Sequence, residues 1–521
     1  GGAGGARGGV GRSTAVFAAW TGISRVAGLA REIIAAALFG TRGEINAFVI
    51  AFNVPNILRS LVADSALSAA LIPVYTSLIE RGRPREAQRL LGAMVGLITL
   101  GLGGLTLLVI ALAPWIMPLF AAGLSPDLQA ETVRLAQIMF PIVPLLALTG
   151  LVAAVLQANG RFGATGFVPI LWNAIIIAAL IGVAPFVGDA HRVDVYAAGI
   201  LVGTLGQLLF LMAALRGSGR LGFGLGRGVP EVRRVLVLML PVTLGLGLIN
   251  VNAAVDNVFA SLVSEQAVRA VDAAFRLYIL PQGVFSVAIS TVLFPAIARM
   301  VAREDMRGVS DAVAGGVRQI FFMLLPASAF LMVLAEPVTR LVFERGEFDA
   351  GSTDLTSSAL LAFTVGLVFN GASLLVIRAF FSLQQPWLPT KVAAVGLVLN
   401  LVLDALLYRP LGVAGIPLAT SIVSAVTFVM LLVMLRREIG GLETRGLVDG
   451  FARSAAGAAV LALLSWCTWT ILDGALGRGL VAQIVAVTAA MAAGAVAYLA
   501  AAQALEQPEL RQLARVVRPL R

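Results

Sequence analysis

Apolar stretches long enough to cross a bilayer, separated by short polar turns, recur along almost the whole chain. They lie near residues 14–39, 45–79, 90–120, 130–158, 165–187, 195–215, 235–263, 270–298, 312–343, 355–383, 388–408, 412–435, 450–472 and 480–503. About 20 apolar residues in a helix span the hydrocarbon core. The pattern therefore predicts an all-α polytopic membrane protein with about 14 transmembrane helices.

The polar turns are of two kinds. Turns after even-numbered segments, together with the two tails, hold 23 basic residues, among them Arg81, Arg83, Arg85, Arg89, Arg233 and Arg234, whereas turns after odd-numbered segments hold six. Basic residues collect on the cytoplasmic side of a membrane. Both termini are therefore expected in the cytoplasm, which requires an even number of crossings.

The chain also repeats itself. Leu156 to Asn173 (LQANGRFGATGFVPILWN) and Leu383 to Asn400 (LQQPWLPTKVAAVGLVLN) are both 18 residues long and lie 227 apart. Val54-Pro55 and Leu280-Pro281 lie 226 apart, and Ala198-Gly199-Ile200 recurs as Ala414-Gly415-Ile416 at an offset of 216. Their common order predicts two six-helix pseudo-repeated halves, 13–220 and 230–440, then two extra C-terminal helices in 448–505 and a basic tail, 506–521. The Gly-rich residues 1–12 are expected to form a disordered lead, since they lack the short apolar core and small-residue cleavage site of a signal peptide. Halves with an even number of helices are parallel repeats, and transporters built this way hold substrate near the membrane midplane.

Composition narrows the function. Hydrophobic residues make up 59% and charged residues 13%, against roughly 45–50% and 25% in a soluble domain. The net charge of +10 resides mostly in turns without interleaved aromatics, so it reads as membrane orientation, and no nucleic-acid partner is expected. A single cysteine, Cys467, allows no internal disulfide, and a single histidine, His191, allows no histidine-based metal site. The run Gly222, Gly224, Gly226, Gly228 follows no strand, and GxxxxGK[ST] does not occur. Neither enzymatic chemistry nor an organic cofactor is expected.

The informative residues are charges inside the apolar segments. Arg25, Arg31, Arg59 and Arg276 turned to lipid would together cost about 10–14 kcal/mol, so they are expected to face protein or water. Within SRVAGLARE, from Ser24 to Glu32, Arg25 and Arg31 are six residues apart, about 120° out of phase on an ideal helix. Gly28 between them offers a hinge that would turn both into one cavity. Pro55 before Arg59 and Pro281 after Arg276 predict bends beside the other two. Under the 226-residue offset Arg59 falls on Phe285 and Arg276 on Ile50. The arginines thus depart from the shared scaffold, as binding residues would, and guanidinium forks in a low-dielectric cavity suit a diphosphate. The alternative is internal pairing of Arg31 with Glu32, Arg59 with Asp64 and Arg276 with Asp272. Asp256 and Asp404 are the deepest acids. Asn400 lies one turn before Asp404 on the same face, and with Thr420 these oxygens suit Na+, or one carboxylate carries a proton. Carboxylates simply hydrogen-bonded to neighbouring helices are the competing reading.

The stretch from Ser24 to Leu78, containing SRVAGLAREIIAAALFG and NVPNILRSLVADSALSAALIPVYTSL, resembles the MurJ/MviN family of lipid II flippases in the MOP exporter superfamily. The resemblance continues through RLYILPQGVFSVAISTVLFPAIA from Arg276, FERGEF from Phe343 and RAFFSLQQPWLPTKV from Arg378. It implies fourteen helices that carry undecaprenyl-diphosphate-linked peptidoglycan precursor from the inner to the outer leaflet of the bacterial cytoplasmic membrane by alternating access. It places the family's essential arginines at Arg25, Arg31, Arg59 and Arg276, with Ser24, Glu32 and Asn46 beside them in the substrate-binding set. It places the sodium ligands at Asp256, Asn400, Asp404 and Thr420, and a polyprenyl-tail groove on the two extra helices. Asn46 stands where many members carry an acid, Ile279 where some carry an acid or amide, and Glu32 where aspartate is frequent. The partners implied are the lipid-linked muropeptide and anionic membrane lipids, the protein acting as a monomer. An exporter of another lipid-linked oligosaccharide or of drugs, and a non-transporting cell-wall scaffold acting through the basic turns, are the alternatives.

Overall fold

The computed structural model describes the backbone of residues 3–62, 65–159, 161–216, 222–224 and 229–510. Side chains are described for these except 3–19, 21, 59–62, 65, 66, 68, 69, 162, 190, 241, 242, 244–246 and 249. All regular elements among the described residues are helical. They fall into two compact units, Gly1–Val268 and Arg269–Arg521.

The first unit holds α1 (Ala3–Phe39), α2 (Glu44–Val62), α3 (Ser65–Glu80), α4 (Pro84–Gly96), α5 (Gly103–Phe120), α6 (Pro126–Met139), α7 (Ile142–Ala158), α8 (Phe162–Gly182), α9 (Arg192–Ala214) and α10 (Pro230–Val263). Local chemistry sets the breaks. Ser125 opens α6 by accepting a hydrogen bond from the Leu128 N–H at 3.4 Å, and Pro126 takes the first helical position, where no donor is needed. Pro141, without an N–H, ends α6 and splits the expected segment 130–158. The segment 45–79 is helical on both sides of residues 63 and 64, as α2 and α3. A π-helical stretch, Leu97–Leu102, joins α4 to α5, where Gly96, Gly101, Gly103 and Gly104 lower the preference for α-helical bonding. α1 begins at Ala3, so helix occupies residues 3–12 where the glycine content predicts disorder. Extending an existing helix adds one hydrogen bond per residue fixed, which offsets the glycine cost.

α1 packs along α8, α8 along α9, α2 against α6, and α7 against α3 and α9. α10 lies on α2 and α3, so it belongs to the first unit, whereas the sequence repeat opens its second half at residue 230. Turns dock by close backbone approach. A Cβ on Gly123 would stand 2.0 Å from the Ser261 carbonyl oxygen, and the Gly123 N–H donates to Ser261 Oγ at 3.1 Å. The Gly224 N–H donates to the Gly92 carbonyl at 3.0 Å, and a Cβ on Gly96 would lie 1.9 Å from the Gly224 oxygen. Glycines 92, 96 and 224 thereby seat a piece of the α9–α10 connection on α4.

The second unit holds α11 (Ala267–Ala302, beginning at the boundary), α12 (Met306–Val333), α13 (Ala335–Phe343), α14 (Ala350–Ser382), α15 (Trp387–Leu411), α16 (Gly415–Glu438), α17 (Thr444–Leu476) and α18 (Leu480–Ala504). Asp305 and Asp349 cap α12 and α14 by accepting from the N–H groups of Gly308 and Ser352. Gly412, at φ +57°, makes the turn from α15 to α16, a conformation that favours glycine. α14 packs against α12 and α16, and α17 against α12 and α18. The Tyr498 hydroxyl of α18 donates to the Phe322 carbonyl of α12 at 2.7 Å. In the FERGEF stretch, Glu344 accepts from the Thr353 hydroxyl at 2.6 Å, and Arg340 one turn earlier is paired with Glu336.

Ten stretches of the described residues are long and apolar enough to cross a bilayer, and one of them, Trp387–Glu438, contains both α15 and α16. Large apolar side chains such as Leu107, Trp115, Phe186 and Val481 lie on the outside of these helices. In water they would be a liability; against lipid tails they are solvated. The chain is a multi-pass membrane protein.

Candidate functional site: buried cations and a polar cluster

In the first unit the site is built on the contact between α1 and α8. Arg31 is 7% exposed, and its Nη2 donates to Glu32 Oε1 at 2.6 Å. Its guanidinium carbon lies 4.8 Å from the centre of the Trp172 ring on α8. The indole is held in turn, since its Nε1 donates to Thr204 Oγ1 on α9 at 3.3 Å and Gly203 leaves room for the ring. Beside it, Asn173 is 5% exposed, and its amide nitrogen donates to the Pro169 carbonyl at 2.8 Å. The Asn173 Oδ1 accepts no hydrogen bond among the described residues and lies 4.0 Å from where a Cβ on Gly28 would stand. A charge-compensated arginine, an aromatic face and an open acceptor are thus gathered on the α8 side of α1.

Arg25 does not join them. α1 runs without interruption through Gly28, so the hinge expected there is not open in this structure. The six-residue spacing keeps its helical phase, leaving Arg25 exposed, Ser24 half-buried and Arg31 buried. Arg59 lies on α2, one turn beyond Pro55, and its side chain is outside the described residues, as is its expected partner Asp64. Pro55 is buried within α2, and next to it the Asn56 amide donates to Asn250 Oδ1 of α10 at 3.4 Å. Asn46 is fully buried, and its amide nitrogen donates to the carbonyls of Thr41 at 2.8 Å and Gly43 at 3.2 Å. It closes the α1–α2 turn, about 20 Å along α2 from Arg59 at 1.5 Å per residue.

In the second unit Arg276 is half-buried on α11, with Nη2 3.2 Å from Asp272 Oδ1. The other oxygen of Asp272 accepts from Arg269 at 2.8 Å, and Arg269 is 2% exposed. One carboxylate thus serves two guanidinium groups. Phe275, Tyr278 and Phe363 pack beside them, with ring centres 5.1–5.7 Å apart. Pro281 and Pro295 both lie within the continuous α11. Pairing of Arg31 with Glu32 and of Arg276 with Asp272 is therefore present.

The oxygen cluster is also partly assembled. Asn400 and Asp404 on α15 are both fully buried, and the Asn400 amide nitrogen donates to Asp404 Oδ2 at 2.8 Å. That orients the Asn400 carbonyl oxygen toward Thr420 on α16, whose hydroxyl donates to it at 3.5 Å. Asp256, half-buried on α10, belongs to the first unit. One carboxylate with neutral oxygens is a donor set for a hard monovalent cation rather than a transition metal. No group of three or more His, Cys, Asp or Glu that could hold a metal occurs among the described residues. Sequence reasoning missed Trp172, Asn173 and Arg269. The first two end one copy of the 18-residue repeat, and an aromatic-amide pair within an apolar helix was a usable signal; Arg269 was assigned to a turn.

Comparison with known proteins gives a consistent result. The family model for MurJ, described as lipid II flippase MurJ, matches residues 35–505. The lipid II flippase MurJ of Burkholderia cenocepacia is 31% identical over 476 residues, 88% of this chain and 91% of its own length. A probable lipid II flippase MurJ from Bdellovibrio bacteriovorus is 28% identical over 517 residues, 98% of this chain and 97% of its own. A solved structure of lipid II flippase MurJ in an inward closed conformation superposes with a TM-score of 0.77 at 22% identity, covering 93% of this chain and 97% of that one. An inward-facing multidrug resistance MATE family transporter of the MOP superfamily gives 0.70 at 16%, covering 80% and 94%.

Proposed function

Since this chain belongs to the MurJ family of lipid II flippases, we propose that it moves the diphosphate-linked muropeptide of lipid II from the inner to the outer leaflet of a bacterial cytoplasmic membrane, with both termini in the cytoplasm. The observation that carries the reading is the buried Arg31, matched by Glu32 and braced on Trp172, together with the two guanidinium groups of Arg269 and Arg276 gathered on Asp272. A diphosphate brings several anionic acceptor oxygens that guanidinium forks bind bidentately. Its polyprenyl tail stays in lipid, and only the headgroup needs a polar route.

The protein makes and breaks no covalent bond in this reading. Alternating access exposes the arginines first to one side of the membrane and then to the other. Arg31 can keep Glu32 on Nη2 and offer its remaining N–H groups when phosphate arrives, so neither buried charge is left without a partner. Arg25, exposed and one face away on α1, is available to the headgroup as it enters, and Arg59 extends the basic set on α2. Asn400, Asp404 and Thr420 would hold Na+ or a proton whose gradient drives the cycle. Each charge crossing the full potential adds about 2.3 kcal/mol per 100 mV. The working form is a monomer.

The test is complementation of a bacterium depleted of its own flippase, with lipid-linked precursor accessible at the outer face as the readout. The parent chain restores exposure, and well-expressed alanine variants at Arg25, Arg31, Arg59 and Arg276 fail to. Full exposure without the arginines would overturn the proposal.

A further inference from the structure

A second apolar site lies in the first unit, among α3, α4, α5 and α10. A cleft of about 220 Å³ is lined by Leu67 of α3, Met94 of α4, Gly101 of the π-helical stretch, Leu105 of α5, and Leu236 and Met239 of α10. The lining is almost wholly apolar, and Leu105 and Leu236 are 40% and 43% exposed, so the cleft opens outward. An engineered cavity of about 150 Å³ with such walls stays dry and takes up benzene. A larger apolar opening in a membrane-crossing helix pair is filled by hydrocarbon.

The π-helical stretch shapes this cleft. It supplies Gly101 in the wall, where a side chain would otherwise stand, and a Cβ placed there meets only Leu97 Cδ1 at an ordinary 3.6 Å. From Met94 to Leu105 the cleft runs about 16 Å along the helix at 1.5 Å per residue. π-helical insertions occur frequently at functional sites.

The basic end of the cleft says what hydrocarbon enters it. Arg89 is about 7 Å below Met94 along the same helix, and Arg233 precedes Leu236 by three residues, on the same face of α10. Arg85, Arg89, Arg233 and Arg234 are all exposed, while Glu86 is engaged by Arg83. α4 and α10 are in contact, and Arg83 before α4 interacts electrostatically with Glu231 in the first turn of α10, so the arginines, in excess over Glu86 and Glu231, form a positive rim at this end of the cleft. We propose that this cleft seats one acyl chain of an anionic phospholipid from the adjoining leaflet, its phosphate held by the Arg233 and Arg89 rim.

The experiment places the full chain in phosphatidylcholine nanodiscs with a trace of phosphatidylglycerol carrying a photoreactive diazirine on one acyl chain, and maps the crosslinks by peptide mass spectrometry. Label is expected to concentrate on residues 94–105 and 236–239 and to be displaced by unlabelled phosphatidylglycerol at least fivefold more effectively than by phosphatidylcholine. Arg233→Gln should lower that preference about fivefold, at about 1 kcal/mol per surface arginine. Gly101→Leu should fill the cleft and abolish label there while leaving label elsewhere. The exposed Arg233 variant leaves the packing untouched, so it reports even if Gly101→Leu folds poorly. Label spread evenly over the lipid faces of α5, α17 and α18, or equal displacement by the two lipids, would overturn the proposal.

Discussion

Trp172 offers a direct test of how the buried arginine is held. Trp172→Phe keeps a ring face beneath Arg31 and removes the indole donor to Thr204, a hydrogen bond with a net contribution of about 0.5–1.5 kcal/mol. Trp172→Leu removes the ring as well. With Arg31 only 7% exposed and its guanidinium 4.8 Å from the ring centre, the contact falls in the desolvated class, at about 2 kcal/mol. The Leu variant should therefore lose about 2.5–3.5 kcal/mol and the Phe variant about 1. At about 2 °C per kcal/mol for a unit of this size, those losses lower the apparent Tm of detergent-purified protein by about 5–7 °C and about 2 °C. Combining each variant with Arg31→Gln closes a double-mutant cycle. The coupling between Trp172→Leu and Arg31→Gln should be about 2 kcal/mol, and that between Trp172→Phe and Arg31→Gln well under 1. Precursor exposure at the outer face should fall steeply for the Leu variant and modestly for Phe. A Trp172→Leu coupling within about 0.5 kcal/mol of zero, with exposure unchanged, would refute the reasoning that the ring holds the guanidinium.

Three further outcomes are expected. Asp404→Asn removes the carboxylate that Asn400 donates to, so under the proposed coupling the response of precursor exposure to an imposed Na+ or proton gradient should be lost; a response identical to the parent's would exclude this cluster as the coupling site. Asn46→Ala removes two hydrogen bonds from the α1–α2 turn and should cost about 1–3 kcal/mol of stability, read as a lower Tm, with transport at permissive temperature retained. Transport lost at unchanged Tm would instead place Asn46 in the binding set. Gly96→Val puts a branched side chain where a Cβ already stands 1.9 Å from the Gly224 oxygen, so the connecting segment should leave α4 and be cleaved faster in limited proteolysis; parental cleavage rates would contradict the seating on α4.

The helical class and the position of nearly every apolar segment were legible because twenty-residue apolar runs have few other physical uses. What the runs could not display was interruption. Pro141 divides one segment and Leu97–Leu102 changes its winding inside another, and neither alters the hydropathy profile. The pairing of Arg31 with Glu32 was readable as neighbouring opposite charges. That Arg31 also rests on Trp172 was not, because the two are brought together only by packing of α1 against α8. Asn46 was legible as a departure from the family's pattern, standing where many members carry an acid, yet its full burial against turn carbonyls depends on the geometry of a turn built by Gly40 and Gly43, both with positive φ. The i,i+4 spacing of Asn400 and Asp404 sufficed to put their side chains on one face, and there the sequence and the structure coincide.

The position of α10 bears on the ancestry of the chain. A gene duplication copies the order of helices but not the partners each will meet. α10 is the counterpart of α1 by position in the repeat, yet α1 rests on α8 while α10 rests on α2 and α3. Helices at corresponding places in the sequence repeat thus meet unlike neighbours, and their sequences are free to drift apart faster than those of helices in equivalent surroundings. None of the three correspondences that suggest the repeat falls on α1 or α10. The likeness between the two halves is faintest where the neighbours differ.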